Sequence, residues 1–265
     1  MTAHTIVDGV RIAYERHGVG APVILFHGAF EDSRSSAPEV ERLRSRAEVI
    51  AWDAPGCGSS ADIPEGWDES DWADTAAGFI DALGVTRPIV VGFSFGSVLA
   101  LLLARDHPGS VGGLLLVGAY PGWGGALTPD VVAERVAAAR FTMEHPANEW
   151  ADAFLDSVFA PESRVDDRER ARAILDDWRP ATTAAFLSLI VNDYRPGLSK
   201  VSTPTLVVRG SDDSRSPRSA TAELCRLLQR ARSVEIAGAG HDCRGRELDA
   251  LILDLAARVH AGRLL

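Results

Sequence analysis

Short apolar runs and helix-periodic segments take turns along this chain. Runs rich in Val, Ile and Leu lie at 11–16, 23–26, 48–52, 89–93, 113–117, 205–209 and 233–236. Several are apolar at every position, the mark of strands covered on both faces. Between them, segments 71–83, 95–107, 217–230 and 246–261 carry apolar residues at helical spacing. The second stops before Pro108, which cannot continue a helix. The alternation predicts an α/β fold: a mostly parallel central sheet with helices on both faces. Residues 1–10 predict an additional edge strand, turned at Asp8-Gly9.

One stretch breaks the rhythm. From 121 to 198 only helical patterns occur, at 130–145, 149–159, 166–178 and 182–192. A helical block between sheet strands reads as an insertion lying on the sheet. The expected organisation is a core domain of 1–120 and 199–265, with a helical cap of 121–198 inserted before the last two strands. Gly122, Gly124 and Gly125 at one end and Pro196-Gly197 at the other are expected to act as hinges.

Composition narrows the function classes. With 265 residues, 46% hydrophobic and 24% charged, the chain can bury a full core without staples. Its net charge is −10 and it shows no basic stripe, which argues against nucleic acid and anionic membrane as partners. The longest apolar run, 98–104, is far too short for a membrane span. Asp8, Arg11, Glu15 and Arg16 interrupt any signal-peptide core. Cys57, Cys225 and Cys243 are odd in number and lack metal-ligand spacing, so a reducing, cytoplasmic setting is expected. The expected partner is a small-molecule substrate; oligomeric state is not encoded legibly.

The strongest chemical signal is Gly92-Phe93-Ser94-Phe95-Gly96 between an apolar strand and a helix. In that context Gly-x-Ser-x-Gly is a nucleophile elbow, its turn so tight that small residues must flank the serine at two positions on either side. A serine hydroxyl needs a base. His241, in Gly238-Ala239-Gly240-His241 after the last strand, lies at the sheet edge where open α/β folds bind ligands. The base needs an orienting carboxylate, and Asp212 or Asp213 follows the strand at 205–209. Ser, then Asp, then His is the chain order of one known triad architecture. Cys243 reads as a bystander. Gly122-Trp123-Gly124-Gly125 has the wrong spacing for a phosphate loop, and no cofactor or metal is expected.

These features resemble the α/β-hydrolase superfamily. Four separated motifs carry the resemblance: His27-Gly28 after a strand, Asp53-Ala54-Pro55-Gly56-Cys57-Gly58-Ser59-Ser60, the elbow around Ser94, and Gly240-His241. The resemblance implies an α/β-hydrolase fold and a Ser94–Asp213–His241 triad. Asp213 is selected because it stands three residues after Gly210 and four before Pro217. It also implies an oxyanion hole from the backbone N–H groups of Ala29 and Phe95. Aromatic residues concentrate in the cap, and Phe30, Trp123 and Phe141 are candidate substrate-pocket residues. The implied activity is hydrolysis of a small, largely apolar ester or lactone. The same triad serves carbon–carbon bond hydrolases, proline iminopeptidases, cofactor-free haloperoxidases and hydroxynitrile lyases, and the fold also serves non-catalytic small-molecule receptors.

Overall fold

The computed structural model describes residues 2–262 apart from 161, 162 and 164. Among them eight strands form one sheet: β1 (Ala3–Val7), β2 (Val10–His17), β3 (Ala21–Phe26), β4 (Ala47–Trp52), β5 (Ile89–Phe93), β6 (Gly113–Val117), β7 (Thr205–Gly210) and β8 (Ala231–Ile236). Their order is β1-β2-β4-β3-β5-β6-β7-β8. β1 and β2 form a hairpin whose turn residues, Asp8 at φ 47° and Gly9 at φ 84°, both adopt the left-handed conformation that a two-residue turn demands. β2 runs antiparallel to β4, and every pairing from β4 through β8 is parallel.

Alternate residues of each central strand feed opposite layers. Ile24 and Phe26 face one core, with α2 (Glu69–Ala82), α3 (Phe95–Asp106) and α8 (Arg218–Leu227). Val23 and Leu25 face the other, with α1 (Ala37–Leu43) and α9 (Arg246–His260). Strands apolar throughout are thus strands sandwiched between two helical layers. α3 is buried along almost its whole length, consistent with its apolar residues all round. α1 has no counterpart in the periodicity of the sequence. It is seven residues long, has Pro38 in its first turn, and buries only Glu39, Val40 and Leu43, too little for a periodic signal.

Between β6 and β7 the chain runs through α4 (Pro129–Glu144), α5 (Ala151–Val158), α6 (Val165–Asp176) and α7 (Pro180–Ile190). α7 packs on the core: Phe186 stacks face to face on Phe95 at 3.7 Å, and Thr182 donates its hydroxyl to the Gly56 carbonyl at 2.7 Å. The expected glycine hinge differs. Trp123 N–H donates to the Ile190 carbonyl (2.7 Å), and Tyr194 N–H to Pro121 (3.0 Å). A Cβ on Gly122 would come within 2.1 Å of the Asn192 carbonyl oxygen. These glycines permit two backbones to touch; they zip the way in to the way out. Among the described residues no helix is long and apolar enough to cross a membrane.

The parallel strands end together, so the loops after β3, β5, β6, β7 and β8 gather at one edge of the sheet. Open α/β sheets bind ligands at that edge.

Candidate active site

Ser94 sits at the joint between β5 and α3 with φ 49° and ψ −108°. This is a sterically costly backbone for a non-glycine residue, and it persists because the surroundings hold it. Ser94 N–H donates to the Val117 carbonyl at 2.8 Å, tying the turn to β6. A Cβ on Gly92 would lie 2.4 Å from the Gly96 carbonyl oxygen, and one on Gly96 would lie 2.3 Å from that of Phe26. The small residues of the motif are therefore required by contact. The Ser94 hydroxyl meets the Tyr120 hydroxyl at 3.2 Å. Tyr120 was not singled out by the sequence; its only signal is an aromatic residue three positions past a strand end.

His241 Nδ1 lies 2.9 and 3.0 Å from the two carboxylate oxygens of Asp213. Both residues are buried. Asp213 also accepts the N–H groups of Arg215 (2.8 Å) and Ser216 (2.9 Å). Burial opposes its negative charge. The hydrogen bond and charge of His241, with the two backbone donors, outweigh burial and hold the carboxyl below its ordinary value. An ionised carboxylate only accepts, so Nδ1 carries a proton, and in the neutral ring Nε2 is the acceptor. Nε2 is buried and has no hydrogen-bond partner among the described residues. The ring fits because position 118 is glycine: a Cβ there would come within 2.6 Å of the imidazole. Gly210 likewise lets the His241 loop reach β7, since a Cβ would lie 2.1 Å from the Ala239 carbonyl oxygen. Asp212 is exposed and accepts the Ser211 hydroxyl instead. Cys243 is buried beside the loop, and burial pushes its thiol pKa up, so it is a poor nucleophile.

The loop after β3 is fixed by a buried histidine and an ion pair. Ala54 N–H donates to His27 Nε2 at 3.0 Å, so Nδ1 is the protonated nitrogen and donates to the Gly28 carbonyl at 2.8 Å. Gly28 N–H donates to Glu31 at 2.9 Å, and Arg244 donates to the same carboxylate at 2.8 and 3.2 Å. Burial works against the Glu31 charge, but Arg244 and the Gly28 N–H more than offset it and keep the carboxyl below its ordinary range. The Arg244 guanidinium lies over the Phe93 ring at 4.0 Å, directly before the elbow. Ala29 and Phe30 follow Gly28 at the rim, Phe30 with φ 63°. Phe95 begins α3, so its N–H belongs to the free first turn of a helix. The Asp53–Ser60 segment is a brace: Asp53 accepts the N–H groups of Ser33 and Ser59, each at 2.8 Å.

Ser94 and His241 open on one cavity of about 790 Å³, in the range of small-ligand sites. Phe30, Trp123 and Phe141 all line it. Phe30 is the hub of an aromatic cluster, 5.0–5.3 Å from Trp150, Phe154 and Trp178. Trp123 is buried, whereas Phe141 is 41% exposed and stacks on His145. Phe159, another aromatic of the segment between β6 and β7, packs with Trp150 and Leu155. Among the described residues no cluster of His, Cys, Asp and Glu could hold a metal ion.

Known proteins resemble this chain along nearly its full length. A candidate carbamate hydrolase, RutD, from Caulobacter segnis is 29% identical over 255 residues, covering 91% of this chain and 92% of its own. The solved structure of an esterase from Exiguobacterium antarcticum superimposes with a TM-score of 0.84 at 25% identity, covering 96% of this chain and 97% of that one. The enol-lactonase from Burkholderia xenovorans shares the fold, with a TM-score of 0.79 at 23% identity and coverage of 96% and 100%. The model of the alpha/beta hydrolase family matches residues 23–251. The chain belongs to the alpha/beta hydrolase family and is an enzyme of the hydrolase class.

Proposed function

We propose that the enzyme cleaves a small, largely apolar ester or lactone through a Ser94–His241–Asp213 triad and an acyl-enzyme. The observation that carries this reading is the His241 imidazole: Nδ1 engaged by Asp213, Nε2 bare, in the cavity that holds Ser94. Ser94 turns from Tyr120 toward Nε2, loses its proton to it, and attacks the carbonyl carbon. Asp213 stabilises the imidazolium. The N–H groups of Ala29 and Phe95 receive the oxyanion, a contribution of about 3–4 kcal/mol per donor in comparable enzymes. His241 then protonates the leaving alcohol, and water releases the acid by the same steps in reverse roles. Residues 121–198 act as a cap whose aromatic side chains enclose the acyl group. A carbamate presents the same electrophilic carbonyl and belongs in the substrate panel.

A fluorophosphonate probe followed by peptide mapping tests this reading. Labelling is expected at Ser94, abolished in Ser94→Ala and strongly slowed in His241→Ala. No labelling of a folded wild-type protein would refute the triad and favour a non-catalytic binding role.

A further inference from the structure

Among the described residues, two arginines in the cavity have no carboxylate partner. Arg215 donates Nη1 to the Ser157 hydroxyl at 2.7 Å and lies over the Phe154 ring at 5.2 Å. Arg135 donates Nη2 to the Arg215 main-chain carbonyl at 2.8 Å and lies over Trp123 at 5.6 Å. Both line the cavity and both are partly buried. Among the described residues neither forms an ion pair, whereas the other cavity arginine, Arg244, pairs with Glu31, Asp242 and Glu39. The contrast is sharp in a chain with 37 acidic residues against 27 basic ones. Holding two guanidinium groups close together, partly shielded from water and without an anion, is unfavourable; burial lowers the pKa of each. The nearby negative groups do not compensate. The Asp213 carboxylate is committed to His241 and to the backbone, and Glu134 is exposed. The reacting centre opens on the same cavity, which Tyr120 also lines with its hydroxyl against Ser94.

We infer that Arg135 and Arg215 bind a carboxylate on the acyl part of the substrate, so that the enzyme acts on half-esters or lactones of dicarboxylic acids. This rests on the ester-hydrolase reading and specifies its substrate. The apolar walls take the methylene chain, the guanidinium donors left free take the carboxylate, and Ser94 meets the ester at the other end. A guanidinium suits this task because its planar donors match a carboxylate in pairs.

The test compares monomethyl esters of succinic to suberic acid with methyl esters of the monoacids that end in a methyl group instead. Methanol release is measured for the wild type, Arg215→Gln, Arg215→Lys and Arg135→Gln. At one chain length, the wild type is expected to prefer the half-ester at least tenfold in kcat/KM. Arg215→Gln is expected to lower that preference tenfold or more, mainly by raising KM for the half-ester, and Arg215→Lys to restore part of it. The ratio separates lost recognition from a disturbed Asp213 loop, which slows both esters alike. Turnover of neutral esters with no half-ester preference at any length, or a ratio unchanged in both glutamine variants, overturns the inference and leaves the hydrolase reading standing. If no ester is turned over, the hydrolase reading fails, and calorimetry of adipate binding decides the inference separately. Binding weakened at least tenfold by Arg215→Gln supports it; no binding to the wild type, or equal binding, refutes it.

Discussion

Asp212 and Asp213 are chain neighbours in opposite environments, one exposed beside Ser211, the other buried with three N–H donors on its carboxylate. Their amide variants should therefore behave very differently. Asp213→Asn presents an N–H group to Nδ1 and favours the tautomer with the proton on Nε2, where it cannot accept from serine. A loss of about three to four decades in kcat is expected, following the comparable serine-protease case, whereas Asp212→Asn should lose less than about tenfold. Circular dichroism checks the fold of both before kinetics. Comparable losses in the two would remove Asp213 from the triad. Ser94 and His241 stood out in the sequence because each sits in a glycine pattern that steric contact enforces. Tyr120, Arg135 and Arg215 did not. A lone tyrosine or arginine acquires meaning only from what it meets across the fold, and no local spacing records that.

At the scale of elements, the loop after β3 depends on Arg244, which arrives from the segment before α9. Replacing it with Met leaves Glu31 buried and uncompensated, typically about 3–5 kcal/mol in stability, and frees the Gly28 N–H contact that positions Ala29. Arg244→Met should therefore lower both Tm and kcat. Adding Glu31→Gln should recover much of the Tm and little of the kcat. Full recovery of kcat in the double variant would show that the pair serves stability alone. The strands were legible because they are apolar throughout and bounded by turn residues, and the core helices because their periodicity persists. α1 was not, being too short to establish a period. The glycines at 122–125 were legible as special positions, but composition alone cannot distinguish a hinge from a close backbone contact.

For the molecule as a whole, Glu39 links stability to pH. It is fully buried beside Arg42 and Arg244, and desolvation raises its pKa to about 7. The unfolded chain releases this proton near the ordinary carboxyl value of 4.5. Between those values the native state holds more protons, so stability falls as pH rises, and the contribution present at low pH is gone above about 7. Glu39→Gln removes this dependence. Its Tm relative to the wild type should be more favourable at pH 8 than at pH 5 by a few degrees, by calorimetry. An offset constant with pH would show that Glu39 is ionised throughout. The zipped base of the inserted helices bears on how such a chain assembles. β6 and β7 are neighbours in the sheet, yet the whole insertion separates them in sequence. Once Trp123 meets Ile190 and Tyr194 meets Pro121, that long excursion becomes a side branch. The chain left to be closed between β6 and β7 is short, and each halving of an effective loop removes about 0.6 kcal/mol of closure entropy. The contact thus lets the second part of the sheet dock almost as if the insertion were absent, so the helices between β6 and β7 can change in length without delaying the sheet.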